Sequence, residues 1–384
     1  MSRVLGTTSV EFSATLSQLV FRWRVVKSWP ELYRRAKNES DFSTKKRIEI
    51  SLYTSISIVL MDVLFGVAAA LLLIYRPHAI FKPIQRAYLY LNNHVLQSVV
   101  SWLMGSPAGL QMNRNLVIFL GTISLTVVSY WDAVILLLLT SGYIDVELRV
   151  AVVLSVASMF GISILMSALI DFASFAFFHI FFVYVGVTRL WSLTMRVIKS
   201  FTQLFRGKKY NILKNRLDGH EFDIEQLILG TVFLSLVVFM LPTVFVFYLS
   251  FLLLWSAVLL LQFVLRAGVS IFSFFPLYLY LKCGDIPSRS AIEPVFTLNE
   301  DGSKSLTFRT KTLPLRSGVV VSEFLRTVFS SIPVNEPLSN HLMSMVRGTM
   351  LVFPKYAQHE QADSADSLEF GPHYGKLIKR ILKV

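Results

Sequence analysis

The chain has 384 residues, of which 54% are hydrophobic and only 16% are charged, with a mean hydropathy of +0.58. Soluble domains carry about 25% charged residues, so this composition excludes an ordinary soluble enzyme and predicts an integral membrane protein. The net charge of +13 is accounted for by Lys and Arg flanking membrane spans, and we expect no nucleic-acid partner. The single cysteine, Cys283, excludes an internal disulfide and argues against a thiolate zinc cluster.

Residues 1–47 are expected to form a basic cytosolic arm, with ten Lys or Arg residues against four acids. Apolar residues recur in it at helical spacing, which predicts a short amphipathic helix on the membrane surface or on a partner: Phe12, Leu16, Leu19, Val20 and Trp23. The first residues lack the pattern of a signal peptide, so we expect an internal span to lead insertion.

Residues 48–281 are predicted to form the membrane domain. Apolar runs long enough to cross a bilayer occupy 52–74 and 116–139. Between them, a helical period from Ile80 to Trp102 predicts a helix lying in the interface plane, ended by the Gly- and Pro-containing segment 102–113.

Two later apolar runs are too long for one span. As one helix, 150–187 would measure about 57 Å, so it is predicted to form two spans, 150–170 and 172–190, broken near Asp171. The run 227–265 is likewise predicted to fold back near Pro242 as a hairpin. The last apolar piece, 269–281, is interrupted by Pro276 and is expected to lie in the interface.

Residues 282–384 are predicted to form a small cytosolic C-terminal region. Apolar segments on both sides of Asn299–Ser303 predict a β-hairpin. The segments 319–332 and 336–353 predict two short amphipathic helices, 357–373 a loose stretch, and 376–384 a cationic surface anchor. The predicted fold class is therefore all-α: a polytopic membrane protein with about six transmembrane helices, plus interfacial helices.

The Lys and Arg bias predicts the orientation. The N-terminal arm, the segment 191–226 and the C-terminal region are expected on the cytosolic side, so that both termini are cytosolic. The region between the first two spans disagrees with this rule, because it carries four basic residues and no acid: Arg76, Lys82, Arg86 and Arg114.

The segment 205–226 has the sharpest charge pattern. Its cationic part, Arg206-Gly207-Lys208-Lys209, is either the plain flank of a span or a contact for anionic phosphoinositide headgroups or an acidic partner. Gly207 favours a specific turn there. Downstream, Asp223-Ile-Glu225 matches the acid-x-acid pattern of sugar-nucleotide transferases. Its position favours capping of a following helix, since carboxylates stabilise the positive end of the helix dipole.

Four ionisable residues lie inside apolar segments: Asp62, Asp132, Asp171 and His179. Such residues are costly in a membrane and mark either functional sites or polar clasps between helices. A phosphate-binding Gly-rich loop and a Ser-centred nucleophile elbow are both absent from the sequence. We therefore predict no catalytic, cofactor-binding or metal-binding residues, and no cofactor.

Several stretches together resemble the PIG-Q family, a subunit of the enzyme complex that starts glycosylphosphatidylinositol (GPI) anchor synthesis. They lie between about residues 52 and 280: Trp102–Asn113, Asp171, His179, Tyr184, Arg189, Phe205–Asn211, Asp223–Thr231, Leu241–Thr243 and Phe275–Tyr278. The resemblance implies an endoplasmic reticulum complex that moves N-acetylglucosamine (GlcNAc) from UDP-GlcNAc to phosphatidylinositol on the cytosolic face. It also implies a separate catalytic subunit, PIG-A, and further subunits PIG-C, PIG-H and PIG-P, so no catalytic residue is carried over.

The resulting hypothesis is a noncatalytic, all-helical membrane scaffold of that glycosyltransferase complex. One alternative is a membrane enzyme that modifies a lipid by itself, with Asp132, Asp223 and Glu225 as its acids. The other alternative is a transporter, which predicts internal repeats around a midplane site. The sequence contains no convincing internal repeat.

Overall fold

A computed structural model describes residues 13–105, 112–140, 145–211, 216–282, 287–298 and 304–331. These residues form eleven α-helices and two β-hairpins, so the predicted all-α class is confirmed. The predictions for 336–353, 357–373 and 376–384 lie outside the described residues. The helices are α1 (Ala14–Asn38), α2 (Phe42–Tyr75), α3 (Pro77–Tyr90), α4 (Gln97–Met104), α5 (Arg114–Thr140), α6 (Val146–Met159), α7 (Ile162–Ala176), α8 (Phe178–Phe205), α9 (Ile224–Phe274), α10 (Leu277–Leu281) and α11 (Ser317–Ser331).

By length and composition, four of the described helices could cross a membrane. They occupy Thr44–Tyr75, Arg114–Leu137, Phe178–Phe205 and Ile224–Phe274. The first two correspond to the predicted spans 52–74 and 116–139. Their apolar runs are long and uninterrupted, so the helices form as the local pattern predicts.

The N-terminal helix α1 packs antiparallel against α2. Leu32 and Ala36 near its end contact Ile48 and Leu52 near the start of α2. Earlier in α1, the Trp29 indole donates a hydrogen bond to the Ser55 hydroxyl at 2.7 Å. The predicted short amphipathic helix is therefore a 25-residue element docked along α2 rather than a separate arm.

The predicted interruption of the helix near Asp171 is wrong. Asp171 lies inside α7, and the breaks come at Phe160–Gly161 and at Phe177. Gly161 has φ +138°, a conformation that L residues rarely adopt, and it allows the sharp turn between α6 and α7. These helices have 14 and 15 residues, about 21 and 23 Å, and each is shorter than a bilayer core of about 30 Å.

The predicted hairpin near Pro242 is also wrong, because α9 runs without interruption through Pro242 for 51 residues, from Ile224 to Phe274. The reason is tertiary: α8 lies antiparallel to α9. Near one end of α8, Phe201 stacks on Phe233, and toward the other end Phe181 contacts Trp255. A neighbouring helix thus packs along α9 on both sides of Pro242.

The largest apolar core lies between α4, α5, α8 and α9. It includes Val100, Val128, Tyr184 and Phe247 from these four helices. The helical run 77–104, predicted as an interfacial helix, is continuous through a π-helical segment, Leu91–Leu96. Its second part, α4, enters this core, and its placement in the interface plane stays a prediction.

The C-terminal elements follow their local signals. Strands β3 (Pro287–Leu298) and β4 (Lys304–Pro314) form the predicted antiparallel hairpin around 299–303, and α11 confirms the first predicted C-terminal helix. The chain breaks at Phe275–Pro276 before α10, as Pro276 predicted. Phe275 makes an edge contact with Phe324 of α11, with ring centroids 5.3 Å apart, so α11 packs on the end of α9.

Candidate functional site

A buried carboxylate joins three helices near the middle of the first candidate span. The side chain of Asp62 on α2 is fully buried and forms an ion pair with Arg22 of α1, itself buried. Asp62 Oδ1 also accepts the backbone N–H of Ser163 at 3.0 Å, and Oδ2 accepts the Ser163 hydroxyl at 3.0 Å. Since Ser163 lies in the first turn of α7, the carboxylate stands at the positive end of that helix dipole.

The same cluster extends to a fourth helix. Gln18 Nε2 of α1 donates to Ser163 Oγ at 3.2 Å and to Ser273 Oγ of α9 at 2.8 Å, and Arg22 Nη2 donates to Ser163 Oγ at 3.0 Å. We call these five residues, Gln18, Arg22, Asp62, Ser163 and Ser273, the Asp62 clasp. Charges and polar groups at such depth are tolerated when they pair with one another. These contacts link α1, α2, α7 and α9, although Arg22 Nε and Nη1 have no hydrogen-bond partner among the described residues.

Close backbone approach brings the partners of the clasp together. The Ser158 hydroxyl of α6 donates to the Gly66 carbonyl of α2 at 2.6 Å. A Cβ added at Gly66 would lie 2.2 Å from the Ser158 carbonyl oxygen, and a Cβ at Gly161 would lie 1.9 Å from Asp62 Oδ2. Glycine is therefore required at both positions, on steric grounds.

Asp171, the second predicted intramembrane acid, caps a helix from another part of the chain. Its Oδ2 accepts the Ser13 hydroxyl at 2.6 Å and the Thr15 N–H at 3.0 Å, and its Oδ1 accepts the Ala14 N–H at 2.8 Å. These donors form the first turn of α1, where a carboxylate both satisfies free N–H groups and opposes the helix dipole. Asp62 and Asp171 thus serve the same purpose at the starts of two different helices.

Asp132 and His179 belong to a separate cluster. The Asn92 amide of the π-helical segment bonds to the Asp132 carboxylate on α5. Next to Asp132, the Trp131 indole donates to the Ala176 carbonyl at 3.1 Å and stacks on the buried His179 ring, with centroids 6.1 Å apart. This cluster ties α5 to the joint between α7 and α8.

The predicted cationic segment forms a small β-hairpin. Gly207 has φ +61°, which confirms the predicted turn, and its carbonyl accepts the His220 N–H at 2.8 Å. Strand β1 (Lys208–Asn211) pairs antiparallel with β2 (Arg216–Gly219). The hairpin was not predicted, because these short polar strands lack the alternating apolar pattern that identifies a strand.

Four cationic side chains of this hairpin are exposed: Arg206, Lys208, Lys209 and Arg216. Arg216 pairs with Asp218 at 2.7 Å. Among the residues that the structure describes, Lys208 and Lys209 have no ion-pair partner, and they are exposed together with Arg206. We call the segment Arg206–His220 the cationic hairpin.

The acid-x-acid motif lies at the predicted helix start, but the Asp223 side chain makes no capping hydrogen bond. Asp223 is the N-cap residue of α9, and Glu225 lies in its first turn. Within the described ranges, no three His, Cys, Asp or Glu side chains come together as a metal site would require.

The acids of the single-enzyme alternative lie at opposite ends of α8. Asp132 is adjacent to Trp131, which stacks on His179 in the first turn of α8, whereas Asp223 follows the cationic hairpin beyond the last turn. The 28 residues of α8 measure about 40 Å. Asp132 and Asp223 therefore do not share a site.

Two stretches singled out for the family resemblance meet in space. The Asn113 N–H donates to the Thr243 hydroxyl of α9 at 3.0 Å, across 130 positions of sequence. Thr243 is fully buried. In another stretch, Gly230 of α9 approaches Leu204 of α8 so closely that a Cβ would lie 2.5 Å from its Cδ2. These stretches act as contacts that hold helices together.

Sequence reasoning missed most partners of the predicted acids: Gln18, Arg22, Asn92, Gly161, Ser163 and Ser273. A partial signal existed for α1, because Gln18 and Arg22 share one helical face. That spacing does not identify which distant helix the face contacts. A serine such as Ser163 in an apolar run gives no signal of a functional role in the sequence. Its role is visible only in the structure, where its hydroxyl donates to the Asp62 carboxylate.

Comparisons with known proteins identify the family of the chain. The family described as "N-acetylglucosaminyl transferase component (Gpi1)" matches residues 16–289. The chain is 30% identical over 317 residues to the "N-acetylglucosaminyl-phosphatidylinositol biosynthetic protein gpi1" of Schizosaccharomyces pombe, covering 80% of this chain and 47% of that protein. It is 33% identical over 254 residues to the mouse "Phosphatidylinositol N-acetylglucosaminyltransferase subunit Q", covering 65% of this chain and 43% of the relative.

The human protein of the same name is 32% identical over 242 residues, which cover 62% of this chain and 31% of the relative. The chain thus spans about half the length, or less, of the curated relatives it matches. No solved structure matches it. The family match begins within α1 and ends in the first residues of β3, and so includes the Asp62 clasp, Asp171, Asp132 and the cationic hairpin. The chain therefore belongs to the Gpi1 family of N-acetylglucosaminyl transferase components.

Proposed function

We propose that this chain is a noncatalytic scaffold subunit of the membrane complex that transfers GlcNAc from UDP-GlcNAc to phosphatidylinositol, the first step of GPI-anchor biosynthesis. The names of its relatives as subunits of phosphatidylinositol N-acetylglucosaminyltransferase support this assignment. The complex would reside in the endoplasmic reticulum membrane, with both termini of this chain in the cytosol. Its other members would be a PIG-A-like catalytic subunit and PIG-C-, PIG-H- and PIG-P-like subunits.

The arrangement of the intramembrane acids carries the proposal. Asp62, Asp132 and Asp171 each bond to a residue of another helical segment: Arg22, Asn92 and Ser13. A catalytic site requires its acids and bases to face one common space where a substrate can lie. Because these carboxylates hold helices together, they favour a scaffold function over a catalytic one.

The cationic hairpin is the part of this scaffold that we propose to contact a binding partner. It presents exposed Arg206, Lys208 and Lys209 beyond the end of α8, next to Asp223 at the start of α9. Exposed Lys and Arg beside a span attract anionic headgroups or acidic surfaces. Its partner would be the catalytic subunit or the inositol phosphate of the lipid substrate.

The double charge reversal Lys208→Glu/Lys209→Glu tests this assignment. Both side chains are exposed, so the fold should survive, while the contact loses two cations and gains two anions. The measurement is recovery of the complex in a gentle detergent with mass spectrometry, together with GlcNAc-phosphatidylinositol synthesis by the same preparation. The matched control is Arg196→Glu/Lys199→Glu, the same change of charge at exposed positions of α8.

The outcomes separate the two partners. Loss of the catalytic subunit from the purified complex identifies a protein contact. Full recovery with reduced synthesis, restored by more phosphatidylinositol in the vesicles, identifies a headgroup contact. Normal recovery and normal synthesis, or equal losses in the control, would contradict the assignment.

The noncatalytic part of the proposal has its own test. The purified chain, incubated with radiolabelled UDP-GlcNAc and phosphatidylinositol vesicles, should transfer no sugar until the other subunits are added. Transfer by the chain alone, abolished by Asp223→Asn, would instead support the single-enzyme alternative.

A further inference from the structure

The first half of the N-terminal helix α1 buries polar side chains and exposes apolar ones. Ser17, Gln18 and Arg22 are buried against the neighbouring helices. On the other side Leu16, Leu19 and Trp23 are 38%, 45% and 68% exposed. A helix at the surface of a water-soluble protein has the opposite arrangement, since exposing an apolar stripe to water while burying a guanidinium is costly in both respects.

The contacts of α1 set its position relative to the membrane helices. Arg22 pairs with Asp62, which lies near the middle of the candidate span Thr44–Tyr75. The first turn of α1 is capped by Asp171, the single charged residue in the sequence of the apolar helix α7. The first half of α1 therefore lies beside apolar parts of α2 and α7.

The exposed residues of α2 on both sides of Asp62 are also apolar. On α2, Leu60, Leu64 and Leu71 are exposed, so both helices present aliphatic or aromatic side chains outward. The first exposed cations of α1, Arg24 and Lys27, come after Trp23. Long basic side chains in this position reach toward the headgroups while their stems stay in the apolar layer.

We propose that residues 13–23 of α1 insert into the apolar layer of the bilayer. The stripe Leu16, Leu19 and Trp23 contacts lipid acyl chains, while the Asp62 clasp and Asp171 hold the polar face. These eleven residues measure about 16 Å, about half of a bilayer core of about 30 Å. Selection of spans by hydropathy overlooks such a helix, because its buried side is strongly polar. The proposal is independent of the scaffold function.

The sequence makes a single-cysteine experiment direct. Cys283→Ser removes the single native thiol, after which Leu19→Cys and Trp23→Cys place nitroxide labels on the stripe. Tyr33→Cys is the matched control, because Tyr33 is exposed on the same helix, about 15 Å farther along it, among Arg34, Arg35 and Lys37. The full chain is reconstituted in phosphatidylcholine vesicles, and power-saturation EPR measures collisions of each label with oxygen and with a water-soluble nickel chelate.

Labels at 19 and 23 should collide more with oxygen than with the nickel chelate, and the label at 33 should show the reverse. Greater exposure to nickel at 19 and 23 would mean that the stripe faces water, and the proposal would be wrong. Low collision with both agents would mean that protein covers the stripe, which would also overturn it.

A second measurement applies if the Cys283→Ser background does not fold. In vesicles of brominated phosphatidylcholine, Trp23→Phe in the otherwise native chain should remove a strongly quenched component of the tryptophan fluorescence. An unchanged quenched fraction would contradict insertion.

Discussion

Arg22 on α1 and Asp62 on α2 form an ion pair whose side chains retain only 8% and 0% of their exposure. A buried pair of this kind contributes little net stability compared with well-packed apolar residues, but removal of one partner leaves the other charge uncompensated. The pair therefore acts chiefly as a constraint on position. It allows α1 to dock only where its Arg meets the carboxylate at the start of α7.

Breaking this pair from one side should be costly. We expect Asp62→Ala or Arg22→Ala to lower the free energy of unfolding by about 3–5 kcal/mol, because each leaves a buried charge without its partner. The double variant Arg22→Ala/Asp62→Ala should lose much less than the sum of the two single variants. Thermal unfolding in detergent, followed by fluorescence-detected size exclusion, measures both effects.

The control is Glu31→Ala, which removes an exposed ion pair within α1 and should cost less than about 0.5 kcal/mol. Additive losses in the double variant would show that the pair is not coupled.

Glycine at the α6–α7 turn should be irreplaceable. In Gly161→Ala the new Cβ would lie 1.9 Å from Asp62 Oδ2, and the backbone already has φ +138°, so the turn and the clasp would both have to move. Gly66→Ala places a Cβ 2.2 Å from a backbone oxygen, where no flexible side chain can yield. Both variants should be recovered poorly in folded form. Gly186→Ala on α8 meets nothing within 4 Å and should behave as the parent protein. Normal recovery of Gly161→Ala would contradict the described turn.

The cap that Asp171 provides should protect the first turn of α1. Asp171→Ala removes three hydrogen bonds to Ser13, Ala14 and Thr15, and we expect a loss of about 1–2 kcal/mol, as for other helix N-caps. Hydrogen exchange at the first amides of α1 should rise, with little change in α5. Asp145→Ala is the matched control, because Asp145 is the N-cap of α6 and its side chain makes no capping bond. Equal effects of the two substitutions would contradict the capping role of Asp171.

The contact between Thr243 and Asn113 should contribute measurably to the association of α5 with α9. Thr243→Val keeps the volume of the side chain and removes the hydroxyl that accepts the Asn113 N–H at 3.0 Å. An N–H left without a partner in this setting costs about 1–3 kcal/mol, which should lower the unfolding midpoint. Thr231→Val on the exposed surface of the same helix is the control, since the Thr231 hydroxyl bonds only within its own turn. An equal midpoint for both variants would mean that the Asn113 N–H finds another acceptor.

Local patterns were sufficient wherever a segment carries its own signal. The predicted span 116–139 became α5, Arg114–Thr140, because an unbroken apolar run between polar residues determines a helix by itself. The predicted helix 319–332 became α11, Ser317–Ser331, and Asp223 begins α9 where the acids favour a helix start. The turn at Gly207 was likewise predicted from one residue type whose backbone tolerates positive φ.

Membership of the membrane class, the order of the helices and the acids inside apolar runs were thus determined by the sequence alone. The tertiary structure decided three other matters. The helix ends at Gly161 and not at Asp171, because the Asp62 carboxylate of another helix accepts the N–H of Ser163, where the next helix begins. The chain passes straight through Pro242, because α8 packs along α9 on both sides of that residue. The first half of α1 packs with its polar side against the other helices, because Arg22, Gln18 and Ser13 have partners on α2, α7 and α9. Hydropathy measures the preference of each segment for a solvent. It does not predict which distant carboxylate or hydroxyl will pair with a buried polar group and make its burial favourable.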